Sequence, residues 1–271
     1  MKWSKEADQA IQKVPFFVRK RVRKKVEAFV EKKGRDRIAL SDVNQLKQKF
    51  LSKGGMEKEI KGYDVSTCFG GNGCPNTALD GTRLAGEVEK IVQQADLLAF
   101  LKQNVKGDLK FHHEFRIVVA DCPNACSRPQ IADIGIVGAA LPKISLEPCT
   151  LCRFCVNTCP DAAVSLDPDD LDADAPDIDM HRCLACGKCI RKCPSGTIQQ
   201  DRTGFRVMLG GRLGRHPRLA MEVPGIHSHD QVLVIVRKSI KFYKENAKNG
   251  SRFSRILSDV DDVLKTSLDP A

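Results

Sequence analysis

The chain has 271 residues, enough for two or three domains that each bury a hydrophobic core. Apolar residues make up 42% and charged residues 29% of the sequence, which excludes a disordered or fibrous protein. No apolar run approaches the roughly 18 residues of a membrane-spanning helix, and the first residues lack the apolar stretch of a secretory signal. We therefore expect a cytoplasmic protein without membrane association, whose 12 cysteines bind metal rather than form disulfides.

The formal net charge of +10 is unevenly distributed. Residues 1–62 contain 18 Lys and Arg against 8 Asp and Glu, so the rest of the chain is balanced. Within that rest, residues 161–180 contain eight aspartates and no basic residue. This acidic segment could recruit a cationic redox partner, but a solvated connecting loop is the simpler interpretation.

Hydrophobic periodicity predicts an α+β protein. Apolar residues recur at helical spacing in the first 51 residues and predict a basic three-helix domain, whose third helix is capped by Ser41 or Asp42 and followed by Gly54 and Gly55. After these glycines the pattern changes to short β-like runs at residues 115–120, 134–137 and 205–209. Helical spacing returns at residues 84–101, 232–244 and 253–264.

The second half contains an internal repeat with an offset of 34 residues. The segment CTLCRFCVNTCP begins at residue 149 and CLACGKCIRKCP at residue 183. A C-x2-C-x2-C loop can supply three of the four thiolates of a [4Fe–4S] cluster, and the fourth must come from elsewhere. Two zinc sites with four cysteine ligands each are the alternative, although zinc normally uses separate C-x2-C pairs. The repeat comprises Cys149, Cys152, Cys155 and Cys159, and Cys183, Cys186, Cys189 and Cys193.

This repeat resembles a bacterial-type two-cluster ferredoxin, in which the last cysteine of each run binds the other cluster. The resemblance covers residues 145–201 and implies two [4Fe–4S] clusters with crossed ligands. One would be held by Cys149, Cys152, Cys155 and Cys193, and the other by Cys183, Cys186, Cys189 and Cys159.

The remaining four cysteines have a different spacing. Cys68 and Cys74 lie in CFGGNGC, and Cys122 and Cys126 lie in DCPNAC. Together with CPNACSRPQIADIGIVGA and GFRVMLGGRLGRHPRLA, these motifs resemble the sulfite and nitrite reductase family, in which a [4Fe–4S] cluster is coupled to a siroheme. The family also carries an inserted ferredoxin module in some members. The resemblance implies a reductase-like half domain at residues 54–144 and 202–271, interrupted by the ferredoxin domain at 145–201 and preceded by the helical domain at 1–53.

The same resemblance implies a third [4Fe–4S] cluster and a siroheme. Cys126 would be the thiolate shared by the cluster and the siroheme iron. Siroheme carries many carboxylates, which the planar fork of arginine can bind through two hydrogen bonds, and glycines would let the backbone approach the macrocycle. The alternatives are a cluster without tetrapyrrole, or buried structural thiols. The candidate siroheme-binding residues are Arg128, Arg206, Gly210, Gly211, Arg212, Gly214, Arg215 and Arg218.

The N-terminal segment WSKEADQAIQKVPFFVRKRVRKKVEAF resembles the small C-terminal domain found in one subunit of light-independent protochlorophyllide reductase, an iron–sulfur enzyme that acts on a tetrapyrrole. Its lysines and arginines could equally form a solvated helical face. Nucleic-acid binding is the weakest hypothesis, because no known recognition motif accompanies the charge.

These patterns lead to two main functional hypotheses. In the first, the chain is a siroheme-dependent reductase or reductase subunit that receives electrons from a donor protein. Complete reductases of the family contain two related halves and this chain has room for one, so a partner subunit or a second copy would complete the active site. In the second, the chain is a three-cluster electron-transfer protein without siroheme and without reductase activity of its own.

Overall fold

The computed structural model describes residues 1–12, 14, 16–52, 60–166 and 175–268. The chain divides into two compact units, Met1–Ile60 and Lys61–Ala271. The predicted boundary between residues 53 and 54, the separating glycines Gly54 and Gly55, and residues 167–174 of the acidic segment lie outside the described residues. Among the described helices, none is long and apolar enough to cross a lipid bilayer.

The N-terminal unit contains the three predicted helices. Their apolar faces enclose a small core that includes Ala7, Ile11, Val26 and Val30. Two strands of two residues each pair in parallel beside this core, and the sequence did not predict them because they are too short to show an alternating pattern. The elements are β1 (Lys2–Trp3), α1 (Lys5–Gln12), α2 (Phe16–Glu31), β2 (Arg37–Ile38) and α3 (Leu40–Ser52).

Helix α3 begins slightly earlier than expected. It starts at Leu40, so Ser41 and Asp42 lie in its first turn. The buried Asp42 carboxylate accepts a hydrogen bond from the backbone N–H of Ala39 at 3.0 Å and pairs with Arg35. Asp42 therefore caps the N-terminus of α3 from within its first turn, by accepting from the N–H of the residue that precedes the helix.

The C-terminal unit is built on a mixed five-stranded sheet. Its order is β3-β4-β5-β8-β9, in which β3, β4 and β5 are parallel and β8 is antiparallel to both of its neighbours. In chain order, the elements are β3 (Tyr63–Thr67), α4 (Thr82–Gln94), α5 (Leu97–Asn104), β4 (Phe115–Ala120), β5 (Ile134–Ile144), α6 (Phe154–Thr158), β6 (Val164–Ser165), β7 (Asp177–Ile178), α7 (Lys188–Lys192), β8 (Ile198–Leu209), β9 (Met221–His227), α8 (His229–Asn246), α9 (Phe253–Ile256) and α10 (Val260–Leu264).

The helices α4, α5, α8, α9 and α10 pack on one face of this sheet, where they enclose the main hydrophobic core. Because side chains alternate along a strand, Phe205 and Val207 of β8 point into this core, whereas Arg206 and Met208 face the other side. On that other side, Met208 packs against the small side chains of Ala120 and Val137.

Strands β5 and β8 form a long ribbon that runs beyond the rest of the sheet. Their pairing extends from Ile134 opposite Leu209 to Ile144 opposite Ile198. The chain leaves the sheet after Ile144 and returns to it at Ile198. Residues 145–197 are therefore an insertion at the end of the β5–β8 hairpin, and this segment is called the excursion. Both cysteine runs lie in this excursion.

Candidate iron–sulfur centres

The two cysteine pairs outside the repeat meet at one edge of the sheet. Cys68 follows β3 and Cys122 follows β4, and parallel neighbouring strands end at the same edge. The backbone N–H of Cys68 donates to the carbonyl of Val119 at 3.0 Å. Burial raises the pKa of the Cys122 thiol. Three further thiols lie close enough to raise it as well: Cys74, Cys126 and Cys68.

Backbone amides surround the Cys68 sulfur. The N–H groups of Gly70 and Asp121 both donate to its Sγ at 3.3 Å. Hydrogen bonds to the ligand sulfurs are among the features that set the potential of an iron–sulfur cluster. Gly70 is required because a side chain there would collide with the carboxylate of Asp121.

Asp121 joins the loops around these four cysteines, a role that the sequence patterns did not predict. Its buried carboxylate accepts from the N–H of Gly81 at 3.1 Å. Its carbonyl accepts from the N–H groups of Ala78 and Leu79 at 2.8 and 3.1 Å. Its position beside Cys122 in DCPNAC is the one sequence signal that could have indicated it.

The four thiols differ in exposure. Cys126 is exposed, and its Sγ accepts from the side-chain amide of Asn124 at 3.0 Å. Cys68, Cys74 and Cys122 are partly buried. Cys126 is therefore the thiol of this group that a second ligand can reach from solvent.

The two cysteine runs of the repeat have the same local structure. Leu151 and Ala185 occupy equivalent positions with φ values of 52° and 55°, and their N–H groups donate to the sulfurs of Cys149 and Cys183 at 3.4 Å. Each loop continues into a single turn of helix, α6 or α7. Non-glycine residues rarely adopt positive φ, so its recurrence indicates that this loop shape is required.

The repeat extends to the strands that flank these loops. Val164 pairs with Ile178 in the β6–β7 ladder, and Ile198 pairs with Ile144 in the β8–β5 ladder. Val164 lies 34 residues before Ile198, and Ile178 lies 34 residues after Ile144. The two halves of the excursion are therefore related by an internal two-fold repeat.

The last cysteine of each run lies beside the other run. Burial raises the pKa of Cys155, and Cys193 and Cys149 lie close enough to raise it further. Burial also raises the pKa of Cys189 to about 11. The pKa of Cys189 is raised further by three nearby thiols, those of Cys183, Cys186 and Cys159. Cys152 is exposed in the loop between Cys149 and Cys155.

In the described parts of the chain, no three or more His, Cys, Asp or Glu side chains converge as ligands of a single metal ion. A cubane cluster does not require such convergence, because each of its four thiolates binds a different iron. The donors are suited to a cluster by chemistry, since all are thiols and the sulfurs of Cys68, Cys159 and Cys193 accept backbone N–H bonds.

The predicted siroheme-binding segment forms the loop between β8 and β9. The N–H of Gly210 donates to the carbonyl of Asp133 and that of Ala220 to the carbonyl of Gln130, both at 2.8 Å. A side chain on Gly211 would strike the carbonyls of Gln130 and Ala132. This loop, residues 210–220, therefore lies against the segment that follows Cys126.

Three of the five candidate arginines already bind protein groups. Arg206 donates to both carboxylate oxygens of Glu222 at 2.6 Å. Arg212 donates to the carbonyl of Ser254 at 2.8 Å, and Arg218 donates to the carbonyl of Leu257 at 3.1 Å. The other two candidates, Arg128 and Arg215, are exposed, and so is Gly214.

Residues 62–261 match the family model described as the nitrite and sulphite reductase 4Fe-4S domain. The chain belongs to this family. Residues 3–47 match the model of the proto-chlorophyllide reductase 57 kD subunit. The resemblances to the sulfite and nitrite reductase family and to the protochlorophyllide reductase subunit are therefore confirmed.

Two sulfite reductases and a protochlorophyllide reductase subunit are among the proteins to which this chain is similar in sequence. It is 30% identical over 212 residues to the coenzyme F420-dependent sulfite reductase of Methanocaldococcus jannaschii, covering 74% of this chain and 31% of the relative. It is 28% identical over 105 residues to one subunit of the anaerobic sulfite reductase of Salmonella typhimurium, covering 39% of this chain and 26% of the relative. The chain thus spans less than a third of either protein. Its N-terminal part is 48% identical over 48 residues to one subunit of the light-independent protochlorophyllide reductase of Pelodictyon phaeoclathratiforme, covering 18% of this chain and 9% of the relative.

Among solved structures, dissimilatory sulfite reductase I aligns with 76% of this chain and 53% of its own, at 15% identity and a TM-score of 0.48. The NirA protein of Mycobacterium tuberculosis aligns with 73% of this chain and 26% of its own, at 17% identity and a TM-score of 0.40.

Proposed function

We propose that the C-terminal unit holds three [4Fe–4S] clusters and a siroheme, and acts as the electron-transfer and siroheme-coupled part of a sulfite or nitrite reductase. The main support is the meeting of Cys68 and Cys74 with Cys122 and Cys126 where β3 and β4 end. The cysteines that bind one cluster are separated by up to 58 positions in the sequence, so their convergence is a property of the fold.

The two remaining clusters belong to the excursion at residues 145–197, which we interpret as a ferredoxin-like domain. Its crossed thiol groups support one cluster on Cys149, Cys152, Cys155 and Cys193, and one on Cys159, Cys183, Cys186 and Cys189. When bound, the clusters and siroheme supply the electron storage and transfer that protein side chains lack. The protein surrounds them with thiolates and with N–H donors that tune their potentials.

The siroheme assignment depends on residues that have exposed functional groups. The exposed Cys126 thiolate would be shared between the third cluster and the macrocycle iron. Arg128 and Arg215 can each present an unburied guanidinium to a carboxylate, which arginine binds through two parallel hydrogen bonds. Arg212 and Arg218 instead hold the 210–220 loop in place through the carbonyls of α9 and its C-terminal end.

The proposal includes partners. Electrons would come from a donor protein, and a partner subunit or a second copy of the chain would supply the substrate-binding half. The Salmonella relative is named as one subunit of its reductase, which is in keeping with such an assembly. We also propose a cytoplasmic location, because a reducing compartment keeps 12 cysteines available as cluster ligands rather than as disulfides.

Anaerobic purification followed by measurement of iron and siroheme per chain tests this function. Three cubanes correspond to about twelve iron atoms, and siroheme adds visible absorption bands beside those of iron–sulfur clusters. Methyl-viologen-linked assays with sulfite and nitrite, in the presence of the partner where one co-purifies, then measure turnover. Iron–sulfur absorption without siroheme bands, even after reconstitution, would reject the siroheme part of the proposal.

A second function is favoured by the arginines that are already engaged. Because Arg206, Arg212 and Arg218 bind protein groups, they are not free to hold siroheme carboxylates in this arrangement. The chain could then be a three-cluster electron-transfer protein without tetrapyrrole. This alternative requires about twelve iron atoms and no bound siroheme, so the same two measurements separate the two functions.

A further inference from the structure

The two cysteine runs differ at the positions where one of them contacts the sheet. Gly187 and Arg191 of the second run correspond to Arg153 and Asn157 of the first. Arg153, Asn157 and Arg191 are exposed, whereas Gly187 is buried. The internal repeat therefore provides a built-in comparison, in which one loop has contact residues that the other lacks.

The second cysteine loop lies directly on β5. The N–H of Ala140 donates to the carbonyl of Ala185 at 2.7 Å, and Ala140 forms an isolated β-bridge with Cys186. A Cβ atom on Gly187 would lie 2.9 Å from the Cβ of Ala140, closer than van der Waals contact allows. Gly187 also has a φ of +67°, so glycine permits this approach for two independent reasons.

Arg191 links this loop to the other cysteine set. Its Nη1 lies 3.4 Å from the carbonyl oxygen of Thr77 and 3.5 Å from that of Cys186. Thr77 in turn closes the loop that carries Cys68 and Cys74. Its N–H donates to the carbonyl of Cys74 and its hydroxyl to the carbonyl of Gly70, both at 3.2 Å. One guanidinium thus contacts the backbones of two different cysteine loops.

The first cysteine loop faces solvent instead. Leu151 and Phe154 are 53% and 56% exposed, and Cys152 is also exposed. A donor protein can reach this loop without disturbing the contact between the second loop and the sheet.

We propose that Arg191 is a positioning residue that, together with Gly187, holds the second cysteine loop against the Cys68–Cys74 loop and so keeps the clusters of these two loops close enough for electron transfer between them. The inference rests on the proposed function. A low-potential one-electron donor would first reduce the cluster held by the group that contains the exposed Cys152 (Cys149, Cys152, Cys155 and Cys193). The electron would then pass to the cluster held by Cys159, Cys183, Cys186 and Cys189, and from there to the one held by Cys68, Cys74, Cys122 and Cys126. At every step one centre loses one electron and the next gains it.

Variants at the two equivalent positions test this role. Arg191→Ala removes the link to Thr77, and Asn157→Ala removes the exposed counterpart in the first loop as a matched control. Each protein is prepared anaerobically, checked for iron content, and mixed rapidly with dithionite. Freeze-quench EPR then follows the reduction of the Cys68-group cluster, and hydrogen–deuterium exchange reports on the amides of residues 76–79.

We expect Arg191→Ala to slow reduction of that cluster by about threefold to tenfold, the size of effect expected for losing one charge-assisted surface hydrogen bond. Exchange at residues 76–79 should become faster, and the EPR interaction between the two neighbouring reduced clusters should weaken. Asn157→Ala should change none of these properties. If Arg191→Ala loses iron, Arg191→Gln, which keeps most of the side-chain length, provides the decisive rate.

Two results would overturn the inference alone: fully loaded Arg191 variants that are reduced at the wild-type rate, or equal slowing in Asn157→Ala. Wild-type protein that fails to hold three clusters would overturn the proposed function and the inference with it. The iron content of the wild type therefore distinguishes the two failures.

Discussion

Arg206 on β8 is bound through two hydrogen bonds of 2.6 Å to the carboxylate of Glu222 on β9. The pair lies on the sheet face opposite the main core. The hydrogen bonds to Glu222 raise the pKa of the Arg206 guanidinium, and burial acts in the opposite direction. The Cys183 thiol also lies close enough to interact with it. The sequence suggested Arg206 as a siroheme ligand, whereas its fork is aligned with a carboxylate of the protein itself.

This pairing predicts a structural role for Arg206. We expect Arg206→Ala to destabilise the C-terminal unit by about 1 kcal/mol, a value discounted because both side chains are partly exposed. For a unit of this size, that corresponds to a decrease of about 2–4 °C in Tm. Thermal unfolding followed by circular dichroism measures the shift. Arg128→Ala, which changes an exposed arginine, should leave Tm nearly unchanged, and an equal decrease in both variants would argue against the pair.

Cys126→Ser should remove the third cluster and spare the other two, because Cys68, Cys74, Cys122 and Cys126 lie on loops separate from the two cysteine runs of the repeat. Iron content should fall from about twelve to about eight atoms per chain, the change expected for one cubane. Iron analysis and EPR of the reduced protein measure this. Loss of all iron from the variant would contradict the separation of the three centres.

The crossed arrangement of the repeat makes a prediction of its own. Because Cys159 lies near Cys189 and Cys193 near Cys155, Cys159→Ser should perturb the same EPR signal as Cys186→Ser. Cys193→Ser should match Cys152→Ser. The opposite pairing of spectra would show that each run binds its own cluster with all four cysteines.

The 210–220 loop contains a candidate siroheme ligand, Arg215, and a residue that holds the loop in place, Arg212. Arg215→Ala should lower the ratio of siroheme to iron while leaving Tm unchanged, since its side chain is exposed. Arg212→Ala should lower Tm by about 2–4 °C, because it loses hydrogen bonds to the carbonyls of His216 and Ser254. Absorption spectra, iron analysis and thermal unfolding give these values. A loss of iron in Arg215→Ala without loss of tetrapyrrole would count against its assigned role.

Two glycines should respond to alanine in opposite ways. Gly86 is exposed within α4 and a Cβ atom there would meet no neighbour, so Gly86→Ala should stabilise the unit by about 0.5–1 kcal/mol. A Cβ on Gly211 would lie 2.5 Å from the carbonyl oxygen of Gln130 and 2.7 Å from that of Ala132. Because these are backbone atoms that cannot move aside, Gly211→Ala should lower Tm. Thermal unfolding of both variants compares the signs, and a stabilised Gly211→Ala would contradict the close packing of the 210–220 loop.

The sequence by itself determined the features that depend on short-range patterns. Helical spacing in the first 51 residues is sufficient to indicate three helices, and the spacing of Cys149, Cys152 and Cys155 is sufficient to indicate a loop with the shape of a cluster site. The 34-residue offset likewise anticipates the paired registers at Val164 and Ile198, because a repeated sequence folds into a repeated local structure.

The tertiary structure decided which distant groups meet. An arginine fork binds a carboxylate or a carbonyl equally well whether it belongs to the protein or to a ligand, so only the fold could assign Arg206 to Glu222 and Arg212 to Ser254. The roles of Asp121 and Arg191 also depend on contacts between segments that are far apart in the chain, since their partners include Gly81 and Thr77. Local sequence patterns do not indicate such contacts, because long-range packing is a property of the whole folded chain.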